Sequence, residues 1–291
     1  MGRYALFLGC QIPMRYPNLE VASRKVFEKT GLETLDMLGY SCCPEPVNSR
    51  LLDRTALLTI SARNLAIAEK LGLDILTLCN GCYETLFEAS DTLNHDPSQL
   101  KTVNDILKKS GKSYLGRTKV RHFVEALYED IGINHIKKLV TKPQKLRVAL
   151  HPGCHLYREH EGEDTDRKPE MMKELTLAIG AEIVDYGLEK LCCGYPTMLV
   201  DEEFSLRQRL LPKLKAIRES RAHLVVVACP ACMMQFEMGQ TMLTKFGLKY
   251  NIPCVSIIEL LALSFGVPPL ELHLDFHKIP PLPLALVRED T

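Results

Sequence analysis

The amino-acid sequence predicts an α/β chain made of two duplicated units, and three observations carry that reading. The cysteines recur in one order in each half, short apolar runs alternate with stretches of helical spacing, and the composition is that of an ordinary folded protein. Of 291 residues, 46% are hydrophobic and 25% charged, which excludes a disordered chain. At roughly 150 residues per domain the length suggests two domains with room for sizeable cores.

The duplication is read from eleven cysteines. Cys10, Cys42, Cys43, Cys79 and Cys82 are followed by Cys154, Cys192, Cys193, Cys229 and Cys232, with Cys254 left over. The spacings are C-x31-CC-x35-C-x2-C and C-x37-CC-x35-C-x2-C. Subtraction gives 144 for the first ligand pair (154 − 10) and 150 for the other four (192 − 42, 193 − 43, 229 − 79, 232 − 82). One six-residue insertion between Cys154 and Cys192 explains the difference, and the polar stretch Arg158 to Lys168 is the natural place for it, as a solvated surface loop. Gly9 and Gly153 each precede the first cysteine of their half, and Pro46 matches Pro196 at the offset of 150. The boundary falls near Lys142 to Lys145, giving a first domain at 1–143 and a second, with a C-terminal tail, at 144–291.

The elements follow in order. The apolar runs Tyr4–Leu8, Leu73–Leu78, Leu146–Leu150 and Leu224–Ala228 read as buried parallel strands, each ending at or near a cysteine. Arg50–Leu71 and Phe204–Arg221 carry apolar residues at three- and four-residue spacing and read as helices. In open α/β sheets, sites form at the carboxyl ends of strands, where Cys10, Cys79, Cys154 and Cys229 would sit. Cys82 and Cys232 would lie on the first turn of the next helix, where the dipole favours a thiolate. Pro253 to Leu270 reads as a buried strand and helix, with Glu259 arguing against a membrane span. The tail from Val267, with Pro at 268, 269, 280, 281 and 283, is expected to be extended and to pack on a partner subunit.

Charge and termini narrow the function. Thirty-six Lys and Arg balance thirty-six Asp and Glu, which argues against a nucleic-acid partner. The start, MGRYALFLGCQIP, holds an apolar stretch too short for a secretory signal or a membrane span. The expectation is a cytoplasmic protein with no membrane span, where many cysteines mean metal or redox chemistry rather than disulfides. A structural zinc site needs four ligands, commonly from two C-x2-C knuckles, and each half has one knuckle beside a vicinal pair. Iron–sulfur clusters present several irons, so adjacent thiolates can bind different metals, and five thiolates exceed the four that an ordinary cubane takes. Zinc in one half, within a zinc-stabilised scaffold protein, is the reading from a different class. The ferredoxin run C-x2-C-x2-C-x3-C-P is absent, so electrons must reach the chain from elsewhere.

On these motifs the chain resembles the cysteine-rich CCG domains, and its tandem arrangement is similar to that of heterodisulfide reductase B subunits. Cys192-Cys193-Gly194 has the CCG sequence, whereas Cys42-Cys43-Pro44 departs from it. The resemblance implies two Rossmann-like CCG domains related by a pseudo-two-fold. It also implies two non-cubane [4Fe–4S] clusters, one on Cys10, Cys42, Cys43, Cys79 and Cys82, the other on Cys154, Cys192, Cys193, Cys229 and Cys232. The implied activity is reduction of a disulfide resembling the mixed disulfide of coenzymes M and B to two thiols, by one-electron steps at the two clusters. The implied partners are a small iron–sulfur subunit with two cubane clusters and a flavin subunit. Other CCG proteins are electron-transfer subunits of succinate, lactate or glycolate dehydrogenase complexes, and that remains the alternative.

Single residues complete the reading. His151 and His155 flank Cys154 in H-P-G-C-H, and His155 is the candidate proton donor, with a plain hydrogen-bonding role as the competing reading. The first half has no matching histidine, since its motif is LGCQ. Gly9, Gly153 and Gly81 would permit tight turns or close approach of the backbone. Cys254 has no cysteine at the offset of 150 and reads as a small buried hydrophobe. Tyr83, Met233 and Met234 read as helix core.

Overall fold

The structure, a computed structural model, describes residues 2–157 and 164–281. Among the described residues, eight parallel strands form two four-stranded sheets. The first holds β1 (Arg3–Phe7), β2 (Glu33–Asp36), β3 (Asp74–Thr77) and β4 (Val120–His122); the second holds β5 (Arg147–His151), β6 (Glu182–Val184), β7 (Leu224–Val227) and β8 (Cys254–Ser256). The spatial orders, β2-β1-β3-β4 and β6-β5-β7-β8, are the same. The helices of the first half are α1 (Gln11–Arg15), α2 (Pro17–Thr30), α3 (Asn48–Leu52), α4 (Arg54–Leu71), α5 (Asn80–His95), α6 (Pro97–Leu107), α7 (Phe123–Glu125) and α8 (Ile133–Leu139). Those of the second are α9 (Arg167–Ala178), α10 (Tyr195–Met198), α11 (Glu202–Phe204), α12 (Leu211–Glu219), α13 (Pro230–Leu243) and α14 (Ile257–Ser264).

The central strands were legible because they are buried on both faces: Tyr4 to Phe7, Val148 to His151 and all of β7 lie inside. β2 and β6 are short edge strands, β2 largely exposed and β6 exposed only at Glu182, and neither has an apolar run to mark it. The helix expected over Arg50–Leu71 is broken at Asp53, whose carboxylate accepts from the Ala56 N–H and caps α4. The stretch Phe204–Arg221 is helical but opens into a π-helix over Ser205–Leu210 before Pro212 can enter the first turn of α12.

Register locates the insertion. Arg3 pairs with Glu33 and Arg147 with Glu182, so β1 to β2 spans 30 residues and β5 to β6 spans 35 (33 − 3, 182 − 147). Five of the six extra residues therefore lie between β5 and β6. Of the stretch expected to hold them, residues 158–163 fall outside the described residues. Its end corrects the expectation of a solvated loop: Lys168 lies on α9 with its side chain buried, 5.6 Å above the Tyr83 ring and 3.8 Å from Glu125.

The halves interlock. α14 packs on α2, while α7 and α8 pack on α9, so the helices after the fourth strand of each half cover the first long helix of the other. Both covering segments start with a capping box, His122 with Glu125 and Ser256 with Glu259. The tail corrects a second expectation. Val267, Leu272 and Leu274 are buried on this chain, and His277 sits between Glu237 and Glu259 at 2.8 and 2.9 Å. The part of the tail described, to residue 281, folds back rather than running extended towards a partner, because an apolar groove and two buried carboxylates receive it. No helix among the described residues is long and apolar enough to cross a membrane.

Candidate metal centre

In each sheet the chain reverses its direction of travel between β1 and β3, or between β5 and β7, and this is where a crevice opens beyond the strand ends. Cys10 and Cys79 leave β1 and β3 at that point, and Cys154 and Cys229 leave β5 and β7. Cys79 and Cys229 are the residues before α5 and α13, which places Cys82 and Cys232 on the first turns. The vicinal pairs arrive from the loops after β2 and β6.

All ten cysteines line one cavity of about 870 Å³, its open mouth included. In the first half, Cys43 Sγ lies 3.0 Å from Cys82 Sγ, and Cys42 Sγ 3.7 Å from Cys10 Sγ. In the second, Cys154 Sγ lies 3.8 Å from Cys192 Sγ. The halves meet at Cys79 and Cys229, 3.8 Å apart. None of the eleven cysteines is in a disulfide.

Close packing of thiols decides which of them ionise. Hydrogen bonds from Cys42 and Cys82 hold Cys43 at about 5, and those from Cys154 and Cys193, with the Gly194 N–H behind them, hold Cys192 at about 2. Cys229 is held well down by Cys232, by Cys79 and by the N–H groups of Cys232 and Ala231. Neighbouring thiols are pushed the other way: Cys82 by Cys43 and Cys79, Cys232 by Cys193 and Cys229, Cys10 by Cys42, and Cys154 by Cys192. Cys79, at the same place before α5, is pushed well up by its contact with Cys229, so thiol contacts rather than the helix start decide which of these cysteines ionises.

This donor set fits iron–sulfur chemistry. Where soft thiols share protons over 3.0 to 3.8 Å, a cationic centre can take the place of the protons, and five thiols per half exceed the need of one tetrahedral zinc. The glycines shape the space. Gly9 and Gly153 take φ of +68° and +88°, and a Cβ would stand 2.7 Å from Cys82 Sγ and 3.3 Å from Cys232 Sγ. Turn and close approach are therefore both required there. Gly81 has room for a Cβ, with its nearest neighbour at 3.7 Å, and needs neither.

The two histidines part company. His155 lines the cavity, whereas His151 is fully buried behind it, with Nδ1 3.4 Å from the Tyr186 hydroxyl and Nε2 without a hydrogen-bond partner. Burial pushes His151 down to about 3. Its ring lies with Cys193 and Cys232 in a group whose ligand atoms are all within 4.8 Å. Cys254 is buried on β8, away from the cavity. Tyr83 and Met233 are buried in helix packing as expected, and Met234 is partly so. Sequence reasoning missed Lys213. It is buried on α12, bonded to the Leu188 carbonyl, and burial draws it down to about 8 while Cys193, Cys232 and Cys192 act to keep its charge. It also missed Gln11, Glu45 and Tyr195, which line the cavity beside the cysteines. The signal for them was their adjacency to ligand cysteines at equivalent places in the two halves.

Comparison with known proteins agrees with this arrangement. The cysteine-rich domain model CCG matches residues 4–87 and 148–237. The B subunit of a ferredoxin/F420H2-dependent CoB–CoM heterodisulfide reductase of Methanosarcina acetivorans is 37% identical over 96% of this chain and 94% of its own. A protein of Archaeoglobus profundus described as like the heterodisulfide reductase B subunit is 34% identical over 92% of each. The 8-methylmenaquinol:fumarate reductase membrane anchor subunit of Wolinella succinogenes is 28% identical over 95% of this chain and 96% of its own. Among solved structures, a hypothetical protein from Helicobacter pylori shares the fold, with a TM-score of 0.72 at 18% identity over 95% of this chain; this chain spans 52% of that one. Two matched domains and ten cysteines at one cavity lead to the same conclusion: the chain belongs to the cysteine-rich CCG domain family of iron–sulfur oxidoreductase subunits, which includes the B subunits of heterodisulfide reductases.

Proposed function

We propose that this chain, divided at 143/144 into two domains, is the catalytic iron–sulfur subunit of a cytoplasmic complex that reduces a disulfide to two thiols. The observation that carries the reading is the single cavity shared by the cysteines of both halves, with Cys79 and Cys229 meeting at 3.8 Å. A subunit that only relays electrons has no need to open both sites onto one recess. Two [4Fe–4S] clusters, non-cubane and one on each five-cysteine set, would supply single electrons and sulfur-binding iron. The chain's own part is to hold the disulfide between the halves, to exclude water with Leu8, Pro46, Pro196, Leu199 and Pro230, and to hold a proton at His155. The reaction takes two electrons and two protons, breaks the S–S bond and leaves two thiols. CoM-S-S-CoB, the disulfide of the coenzymes in the relatives' names, is the first to test.

The electrons come from outside. Leu51 and Leu52 on α3, Leu199 and Val200 after α10, and Met14 on α1 are exposed large apolar residues around the segments that carry the cysteines. Such a patch supports docking of a partner, and a small subunit with two cubane clusters, followed by a flavin subunit on its far side, fits the need. The trio of His151, Cys193 and Cys232 favours a second reading, zinc in the second half within a scaffold protein. Anaerobic purification followed by iron, labile sulfide and zinc analysis decides between them. About eight irons per chain and no stoichiometric zinc are expected; four irons in a fully active preparation would contradict the two-cluster reading.

A further inference from the structure

Besides the cysteines, four side chains with hydrogen-bonding groups line the cavity among the described residues: Gln11, Glu45, His155 and Tyr195. They are two pairs of equivalents. Gln11 follows Cys10 as His155 follows Cys154, and Glu45 stands two residues past Cys43 as Tyr195 stands two past Cys193. The duplication placed polar groups at the same two stations of each half, and the residues then diverged.

On one side the stations are joined across the halves, where Gln11 Nε2 donates to the Tyr195 hydroxyl oxygen at 3.0 Å. That bond occupies the oxygen and leaves the hydroxyl proton to be given to a ligand. Gln11 Oε1 is buried without a hydrogen-bond partner, so nothing in the chain offsets its loss of water. A donor and an acceptor thus stand side by side. On the other side Glu45 is committed to its own turn, accepting from the N–H groups of Val47 and Asn48 at 3.0 and 2.7 Å. No Lys or Arg lines the cavity among the described residues.

We propose that Gln11 and Tyr195 form a hydrogen-bonding station that holds one arm of the substrate disulfide by an uncharged polar group near the sulfur, so that the two halves receive the two arms unequally. The proposal rests on the disulfide-reducing function. A hydroxyl or amide on that arm satisfies both groups, whereas an alkyl arm leaves Gln11 Oε1 unpaired, the kind of mismatch that sites built for hydrogen bonding reject. Gln11 and Tyr195 act here as positioning residues, and both remain neutral throughout.

The test uses the full chain carrying its iron, with reduced methyl viologen as donor, and compares ethyl 2-hydroxyethyl disulfide with diethyl disulfide. Each turnover consumes two reduced viologens and two protons, cleaves the S–S bond and releases two thiols. The wild type is expected to prefer the hydroxyethyl compound in kcat/KM. Tyr195→Phe and Gln11→Met should each lower that preference roughly three- to tenfold. The loss should fall in KM, with matching weaker inhibition by the unreactive thioether 2-(ethylthio)ethanol. An unchanged preference in both variants overturns the station alone. Loss of iron in both assigns these residues to the metal site and overturns it too, and no disulfide turnover by the wild type overturns the disulfide-reducing function and the station with it.

Discussion

At Gly9 the backbone turns through the left-handed region, with the Cys82 sulfur standing where a Cβ would need space. An L-residue there costs about 1–2 kcal/mol in backbone conformation alone, before the thiol moves. Gly9→Ala is therefore expected to lose iron from the first site, and Gly153→Ala, where the Asn80 amide at 2.6 Å and the Cys232 sulfur at 3.3 Å both crowd the position, from the second. Gly81→Ala should keep its iron, and iron analysis of the three purified variants checks all of them. Cys254 is expected to behave oppositely to the ten cavity cysteines. Its counterpart in the other sheet is Val120, since Val225 pairs with Cys254 as Ile75 pairs with Val120. The offset of 150 points to residue 104 instead, because the segment before β8 is shorter than that before β4. Cys254→Val should retain full iron content and stability, and loss of iron in that variant would contradict its assignment to the core. The ten cavity cysteines were legible because thiols are rare and their spacing repeats. Gln11, Glu45 and Tyr195 were passed over, because adjacency to a cysteine is a weaker mark than a repeated spacing of thiols and tells only once the fold brings the residue to the cavity.

The elements that bind the halves together meet at a buried cluster of charge. Tyr16, before α2, donates to Glu237 on α13 at 3.0 Å, and Asn18 on α2 donates to Glu259 on α14 at 2.7 Å. His277 from the tail reaches both carboxylates. Burial opposes a charged imidazole, but Glu259 and Glu237 outweigh it and raise His277 to about 10. A group raised in the folded state stabilises it fully below its ordinary value of 6.5, and that stabilisation shrinks as pH climbs and is gone beyond about 10. Thermal unfolding followed from pH 7 to 11 should show the wild type losing stability through this window, and His277→Ala should flatten that part of the profile. Removing the imidazole leaves two carboxylates buried without their cation, a loss of about 3–5 kcal/mol at neutral pH. Equal pH profiles in the two proteins would contradict the role given to His277. The sequence marked β1, β3, β5 and β7 through their apolar runs, and also the strand and helix after Pro253. It did not mark β2, β4 or β6, which lack an apolar run, or the folding back of the tail, which depends on carboxylates of α13 and α14 far away in the chain.

At the scale of the whole molecule the duplication brings two sets of five cysteines to one cavity. The Cys10 turn leads into α1, which packs on α13, while the Cys154 turn packs on α5, so each half supports the site of the other. The repeat was visible in the spacing of the cysteines, and two facing halves opening onto one cavity were expected from their joint action on one disulfide; spacing alone gives order along the chain and says nothing of how two domains face. Exposed apolar residues lie on the segments next to the cysteines, and the proposed partner docks on them. Leu52→Asp with Val200→Asp should leave iron content unchanged and weaken assembly with the iron–sulfur partner, as read by gel filtration of the complex. The central claim, that the two halves are one catalytic unit, is tested most directly by disulfide turnover in Cys79→Ala, Cys229→Ala and the double variant, with iron analysis showing that only the intended site is lost. Residues acting as a unit respond non-additively, so each single substitution should abolish turnover almost completely and the double should cost little more. About half of the activity surviving in either single variant would contradict the shared site and leave the affected half as an electron relay.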